Sequence, residues 1–173
     1  DGWSGIGMMA VANTGVVRRS AALMEQNQKS YGPNFTFGEH GLFATKRMAR
    51  LASYSSIIAF LVLATPLKRL VRPFLPKPGE GPSQETQDNG WFRATFVAYS
   101  DDNEKKICSM YGSGDPGYKS TAKLVCESAL SLARSADLPG GSEYGGVLTS
   151  AVGLGDVLIE RLSNKEIEFK VLN

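Results

Sequence analysis

The sequence has one histidine, two cysteines and almost no excess of charge. His40 is the single imidazole among 173 residues, so a metal centre built from several histidines is excluded. Cys108 and Cys126 are too few for a disulfide framework, and we expect each to pack as a free thiol. Lysine and arginine number 19 against 17 acidic residues, a formal net charge of +2, which argues against a nucleic-acid partner.

Groups that could carry catalysis are equally scarce. His40 belongs to the residue type most often used as a general base, but a lone histidine in a turn is typical of a surface residue. Tyr118 and Lys119 are adjacent rather than four residues apart, so they do not form the helical Tyr/Lys pair of a reductase. The acidic cluster at 100–104, "SDDNE", fits a hairpin turn. The sequence therefore assigns no catalytic residue, no cofactor-binding residue and no metal ligand.

What the chain does contain is one long apolar stretch. Leu51–Leu67 runs for 17 residues without a charge. Within it, Ile57–Ala64 ("IIAFLVLA") is apolar in every direction around a helix, unlike an ordinary surface helix. At ~1.5 Å per residue, the uncharged stretch would extend about 25 Å, slightly less than a bilayer core of ~30 Å.

Basic residues flank this stretch symmetrically, with Lys46, Arg47 and Arg50 before it and Lys68, Arg69 and Arg72 after it. The symmetry gives no preferred orientation across a bilayer. Three alternatives stay open: a helix on or dipping into a membrane surface, a single span, and a helix buried against another protein or a missing domain. The expected membrane or partner contacts are Ile57, Ile58, Phe60, Leu61, Val62, Leu63, Lys68, Arg69 and Arg72.

A Pro- and Gly-rich stretch, 73–89, divides the chain. We expect it to link an N-terminal helical segment, 1–72, to an α/β domain at 90–173, with the membrane-associating helix at about 41–72. Such a chain would be a membrane-associated intracellular protein. Lipid droplet, endoplasmic reticulum and mitochondrial membranes are not distinguished.

The C-terminal domain is predicted to be a small layered fold. Residues 92–100 and 106–112 alternate between apolar and polar around a short turn, which indicates an antiparallel hairpin. Ile167–Val171 alternates as a closing strand. An amphipathic helix at 118–136 would face the core with Ala122, Val125, Ala129 and Leu132, and solvent with Lys119, Lys123, Glu127 and Arg134. The predicted class is α+β: a mixed sheet with an antiparallel hairpin packed by amphipathic helices, plus a long hydrophobic helix.

A glycine motif, Gly112-Ser113-Gly114-Asp115-Pro116-Gly117, matches the G-x-G-x-x-G pattern of dinucleotide sites. That pattern requires a buried parallel strand and free backbone N–H groups facing the pyrophosphate. Here the preceding strand alternates as in a hairpin, Pro116 has no N–H, and Asp115 would set a carboxylate beside the phosphates. We expect instead that Asp115 caps the next helix and Pro116 starts it, so that this chain holds no cofactor.

Several blocks carry a family resemblance: "GWFRATFVAYS", "GDPGYKSTAKLVCESALSLA", "GGVLTSAVGLGDVLIERLSNKEIEFKV", "ANTGVVRRSAALME" and "YGPNFTFGEH". They resemble the C-terminal part of saccharopine dehydrogenase-like oxidoreductases, a group that includes the trans-acting enoyl reductases of complex-lipid synthesis. The resemblance implies an N-terminal Rossmann domain that binds NAD(P) and would precede this chain. It also implies a hydrophobic segment that associates some members with membranes or lipid droplets.

Two functions follow as alternatives. The chain is expected to be the membrane-docking, substrate-side domain of a lipid-related NAD(P)-dependent oxidoreductase, inactive by itself. Otherwise it is a non-catalytic structural or accessory subunit of a membrane protein assembly. The expected partners are a membrane or lipid surface, other subunits of such an assembly, and the missing Rossmann domain.

Overall fold

The structure, a computed structural model, describes residues 2–7, 9–77, 79–141 and 144–172. The chain divides into two compact units, Asp1–Glu80 and Gly81–Asn173. The division falls inside the stretch expected to act as a linker.

The N-terminal unit combines a two-stranded sheet with helices. β1 (Trp3–Ile6) pairs antiparallel with β2 (His40–Phe43), and α1 (Ala10–Gln26) lies between them in the chain. α2 (Lys46–Ala64) packs on both strands. It begins where the Thr45 hydroxyl accepts a hydrogen bond from the Met48 N–H at 3.2 Å, a usual N-cap arrangement.

The hydrophobic helix is shorter than the expected span of about 41–72. Residues 40–43 belong to β2, and α2 ends at Ala64 because Thr65 is extended, with φ −112° and ψ 170°. A residue before a proline avoids the helical region, so Pro66 stops the helix before Leu67. A short helix α3 (Lys68–Val71) and a 3-10 turn (Arg72–Phe74) follow.

The C-terminal unit is a three-stranded sheet with helices on one side. Its strands β3, β4 and β5 lie in that order, and both neighbouring pairs are antiparallel. This confirms the α+β class and the predicted hairpin, whose turn is closed by the Ser100 N–H and the Glu104 carbonyl at 2.9 Å. The elements in chain order are α4 (Gln84–Asn89), β3 (Trp91–Tyr99), β4 (Lys105–Ser113), α5 (Lys119–Leu132), α6 (Ser150–Gly153), α7 (Gly155–Ser163) and β5 (Ile167–Leu172).

The sheet of this unit is therefore antiparallel throughout and not mixed as predicted. The reason is the connection between β4 and β5. A parallel pair needs one crossover element, usually a single helix. Here α5 and α7 both intervene, so the chain reverses once more and β5 returns antiparallel to β4.

The core of this unit lies between the sheet and the helices. Phe92, Gly112 and Ile167 share one row across the three strands. A Cβ atom at Gly112 would collide with the Phe92 ring, so the absence of a side chain lets that ring lie flat across the strand. Ile167 is 0% exposed. Three buried apolar residues, one in α6, one at its junction with α7 and one in α7, complete the core: Val152, Leu154 and Leu162.

α5 turns inward the side opposite to the one predicted. The expected core residues Ala122, Val125, Ala129 and Leu132 are exposed. Ser120, Glu127 and Ser131 are buried instead. The pattern identified correctly which residues share a face, but it could not say which face would be covered.

Polar groups can occupy the inner side of α5 because they find partners there. The Ser120 hydroxyl lies 3.0 and 2.9 Å from the Ser113 and Gly114 carbonyl oxygens. The Glu127 carboxylate meets the Arg161 guanidinium of α7 at 2.7 Å. Of the cations expected on the outer side, Lys119 and Lys123 bind acidic residues, whereas Arg134 is exposed as predicted.

Replacing Glu127 with Gln should lower the free energy of unfolding by about 3 kcal/mol, because the Arg161 charge stays half-buried without its counterion. Replacing both residues with Leu should recover most of that loss. Urea denaturation measures the three values. Glu160→Gln, at an exposed position of α7, is the matched control and should stay within about 0.5 kcal/mol of the parent chain. If Glu127→Gln and Glu160→Gln had the same free energy of unfolding, the stabilising role of the Glu127–Arg161 ion pair would be contradicted.

Candidate functional site

The residues predicted to contact a membrane or partner form an exposed apolar surface on the second half of α2. Ile58, Phe60 and Leu61 are 60%, 72% and 56% exposed. Ile57 and Leu63 are also exposed, and Val62 is half-buried. Only 6% of the most apolar 18-residue window of the helix is buried. We refer to Ile57, Ile58, Phe60, Leu61, Val62 and Leu63 as the α2 apolar surface.

The first half of α2 is held by the small sheet, which leaves the second half free of it. Ala49 is buried, and a Cβ atom at Gly5 would lie 3.1 Å from both the Ala49 carbonyl oxygen and the Ser53 hydroxyl. The Ser53 hydroxyl accepts a hydrogen bond from the Ile6 N–H at 3.1 Å and donates one to the Ala49 carbonyl at 2.8 Å. Because Gly5 has no side chain, β1 can approach α2 closely and form a hydrogen bond with it. This contact fixes the first half of α2.

Both basic clusters next to α2 are accessible. All six side chains are exposed: Lys46, Arg47, Arg50, Lys68, Arg69 and Arg72. None of them takes part in the four ion pairs found among the described residues. Lys46 lies over the Trp3 ring, with its Nζ 5.2 Å from the ring centroid. Their charges are therefore available to anions at the surface. By length and composition, α2 is the one helix of the described chain that could cross a membrane.

The glycine motif is closed by its own aspartate. The Asp115 carboxylate accepts hydrogen bonds from the backbone N–H groups of Gly117, Tyr118 and Lys119, each at 3.0 Å. These are the donors that a pyrophosphate would need at the start of a helix. A Cβ atom at Gly90 would lie 2.6 Å from the Asp115 Cα, so β3 begins tightly against this turn. The expectation that Asp115 acts as a cap is confirmed. The expectation that Pro116 starts the helix is wrong, because α5 begins at Lys119 after the non-helical Tyr118, with φ −128° and ψ −71°.

A shallow cavity of about 390 Å³ lies on the sheet face away from the helices. Arg93 lies over the Tyr111 ring, with 5.7 Å between its Cζ and the ring centroid. Lys170 pairs with Glu168 at 2.7 Å, and this hydrogen bond holds the pKa of Glu168 below its usual value. The charges are largely compensated within the cavity, which is typical of the solvated face of an antiparallel sheet. His40, the other candidate group, is exposed at the start of β2.

The chain is similar over most of its length to several mycobacterial proteins. It is 34% identical over 170 residues to proteins of Mycobacterium tuberculosis and Mycobacterium bovis, and 32% identical over 168 residues to one of Mycobacterium ulcerans. These relatives are named trans-acting enoyl reductases. Each match covers 92% of this chain but 39% of the relative, so the chain spans about two-fifths of the length of the curated relatives it matches. No protein-family model and no solved structure matches the chain.

The C-terminal unit is pinned by a second polar contact, between the start of α5 and the loop before β5. Glu166 has a left-handed backbone, with φ 63°. Its carboxylate binds the Lys123 ammonium group and accepts a hydrogen bond from the Ser113 hydroxyl at 3.0 Å. The Lys123 contact, followed by the Ser113 contact, holds the pKa of Glu166 below its usual value. Lys119 similarly lowers the pKa of Asp88.

This arrangement predicts an acid-dependent stability. A carboxyl group whose pKa is lower in the folded chain stabilises the fold above its unfolded pKa of about 4.3 for Glu. That contribution disappears as the pH falls through the folded pKa. We expect the urea concentration at the denaturation midpoint to decrease as the pH is lowered from 6 to 3. In Lys123→Met this decrease should be smaller. The lowered pKa values of Asp88 and Glu168 should account for the decrease that remains in this variant. Lys165→Met, at an exposed position, should leave the drop unchanged, and equal profiles for Lys123→Met and the parent would contradict the role of Glu166.

Proposed function

We propose that this chain is the membrane-docking, substrate-side part of an enoyl reductase-related oxidoreductase. The proposal depends chiefly on one observation, the exposure of the α2 apolar surface at the end of a helix whose base is fixed. The names of the relatives support the reductase role. The chain spans about two-fifths of their length, which supports a role as one part of such a reductase. The corresponding position in the whole protein would be C-terminal to a Rossmann domain.

The energetic argument for lipid concerns the α2 apolar surface. Each large apolar side chain moved from water into an apolar phase gains roughly 1.5–3 kcal/mol. Five of the six side chains of this surface are exposed, so the total gain is substantial even at partial depth. The two basic clusters would add about 1 kcal/mol per Lys or Arg near an anionic leaflet.

The geometry favours a helix at the interface rather than one across the bilayer. α2 has 19 residues, or about 28 Å at ~1.5 Å per residue, and its first turns are bound to the sheet. Arg47 and Arg50 lie within those turns, where a span would have to carry them into the hydrocarbon. A helix lying in the headgroup region can keep both clusters at the phosphate level.

Replacing Ile58 and Leu61 with Lys should weaken binding to phosphatidylglycerol-containing vesicles by at least tenfold, because the variant would place two charges in the apolar layer. Vesicle co-sedimentation measures the bound fraction. The control variant carries Lys at Tyr99 and Val147, two hydrophobic residues of the C-terminal unit that are more exposed than Ile58 and Leu61. It adds the same charge and should bind at least as well as the parent.

Binding conditions distinguish a helix on the membrane surface, a helix across the membrane and a helix that binds another protein. Interfacial binding should be weaker on purely zwitterionic vesicles and should fall with added salt. A spanning helix would resist extraction by salt and alkali. Equal sedimentation of the double variant and the parent would contradict the docking role, whereas vesicle-independent assembly that the double variant abolishes would favour a protein partner.

We further propose that the chain by itself provides no dinucleotide site. Its G-x-G-x-x-G turn carries an internal anion, the Asp115 carboxylate, on the N–H groups concerned. The nucleotide half, a Rossmann domain binding NAD(P), would then be a partner within the whole protein. This also keeps the alternative function open, because an accessory subunit of a membrane assembly would need no nucleotide. The intact mass of the natural protein distinguishes them: a mass close to that of 173 residues would favour the accessory subunit.

Calorimetric titration of the purified chain with NADPH and NADH should show no binding at micromolar concentration. Asp115→Ala should not create binding either, since Pro116 still lacks an N–H donor, although it should lower stability by about 1 kcal/mol as a lost cap. Micromolar heats for the parent chain would contradict the proposal. A gain of affinity in Asp115→Ala alone would show that the turn is a blocked nucleotide site.

A further inference from the structure

The outer side of α5 is an apolar surface that the chain leaves in solvent. Val125 and Leu132 are 62% and 61% exposed, and Ala122 and Ala129 are exposed between them. We call Ala122, Val125, Ala129 and Leu132 the α5 seam. A solvent-facing helix side is normally polar, so this seam is suited to another surface.

The seam has the spacing of a helix–helix contact. Its residues follow one another at intervals of three, four and three, the alternation that keeps a stripe facing one partner helix. Small and large side chains also alternate along it, in the order Ala122, Val125, Ala129 and Leu132. Each large side chain of the seam therefore lies next to an alanine, which leaves room for a large side chain of a partner helix.

We propose that α5 forms a homodimer interface, in which two copies of the helix pack antiparallel through their seams. The two-fold axis would cross the helix pair at the level of residue 127. The antiparallel arrangement sets Ala122 against the partner's Leu132, and Val125 against the partner's Ala129. Every layer then matches one large side chain with one small one, as close packing requires. A parallel pair would instead set alanine against alanine and leucine against leucine, which alternates gaps with crowding.

The charges beside the seam fit a second copy. The α5 positions that flank it are Lys119, Thr121, Cys126, Ser128 and Ala133, and Gln84, Gln87 and Asp88 of α4 line a cavity with Ala122 and Val125. Lys119 and Asp88 are the charged residues among these, and they are paired with each other at 2.5 Å. Self-association therefore brings no unpaired like charges together. Glu127 points to the opposite side of the helix, where it binds Arg161.

The size of the interface indicates a weak dimer. α5 has 14 residues, about 21 Å of helix at ~1.5 Å per residue. An interface made by one such helix falls below the ~1,200 Å² typical of stable complexes. We therefore expect dissociation in the micromolar range, with a dimer fraction that rises with concentration.

Cys126 offers a direct test, because it is exposed and lies one residue from the proposed axis. The test protein is the full chain carrying Ile58→Lys and Leu61→Lys, which removes association through α2, and Cys108→Ser, which leaves one thiol. A short bis-maleimide should link two copies through Cys126. The control moves the thiol away from the axis, as Cys126→Ser with Thr121→Cys. Its two thiols would lie about 18 Å apart along antiparallel helices at ~1.5 Å per residue, so the yield should fall at least fivefold.

Sedimentation equilibrium provides the second readout. Val125→Glu should raise the dimer dissociation constant at least tenfold, because it sets a charge in the centre of the seam. Leu130→Glu is the matched control, at an exposed position beside the seam, and should change the constant less than threefold. A monomer at several hundred micromolar, or equal cross-linking through Thr121→Cys and Cys126, would overturn the proposal. Since the α2 substitutions are present throughout, these results do not depend on whether the chain binds membranes.

Discussion

The chain carries more apolar surface than its two small units can bury, and this imbalance governs the rest of the structure. Among the described residues, six hydrophobic side chains are buried: Leu23, Ala49, Val152, Leu154, Leu162 and Ile167. Small units bury a smaller fraction of their surface than large domains do. Apolar residues beyond the two cores must therefore stay in solvent or meet another phase. The second half of α2 and the outer side of α5 are two places where this surplus collects on a helix.

Polar contacts hold the C-terminal unit where apolar packing is thin. Asp115 closes the turn before α5, Glu127 joins α5 to α7, and Glu166 ties the start of α5 to the end of β4. Each contact satisfies a group that would otherwise be unpaired at a helix end or between helices. Together they fix the inner side of α5, and the apolar side is consequently the one that faces outward.

The same polar contacts bear on the reductase relationship. The relatives are named trans-acting enoyl reductases, yet the G-x-G-x-x-G turn of this chain is filled by a carboxylate. The proposed combination of a surface-binding part with a nucleotide-binding part would reconcile these observations. In the proposed arrangement, pairing through α5 would double the number of lipid contacts per assembly.

The local features of the chain could be predicted from its sequence because they depend on neighbouring residues. Alternation gave the β3–β4 hairpin and β5, Pro116 and Asp115 predicted the turn before α5, and the uninterrupted apolar run predicted an exposed hydrophobic helix. What depends on distant residues could not be predicted. Strand β5 runs antiparallel because α5 and α7 both lie between it and β4 in the chain, and α2 starts late because residues 40–43 pair with β1. The Glu127 side of α5 faces inward because Arg161 of α7 lies there. A periodic pattern states which side chains share a face; whether that face is covered depends on partners remote in sequence, and only the tertiary structure decides it.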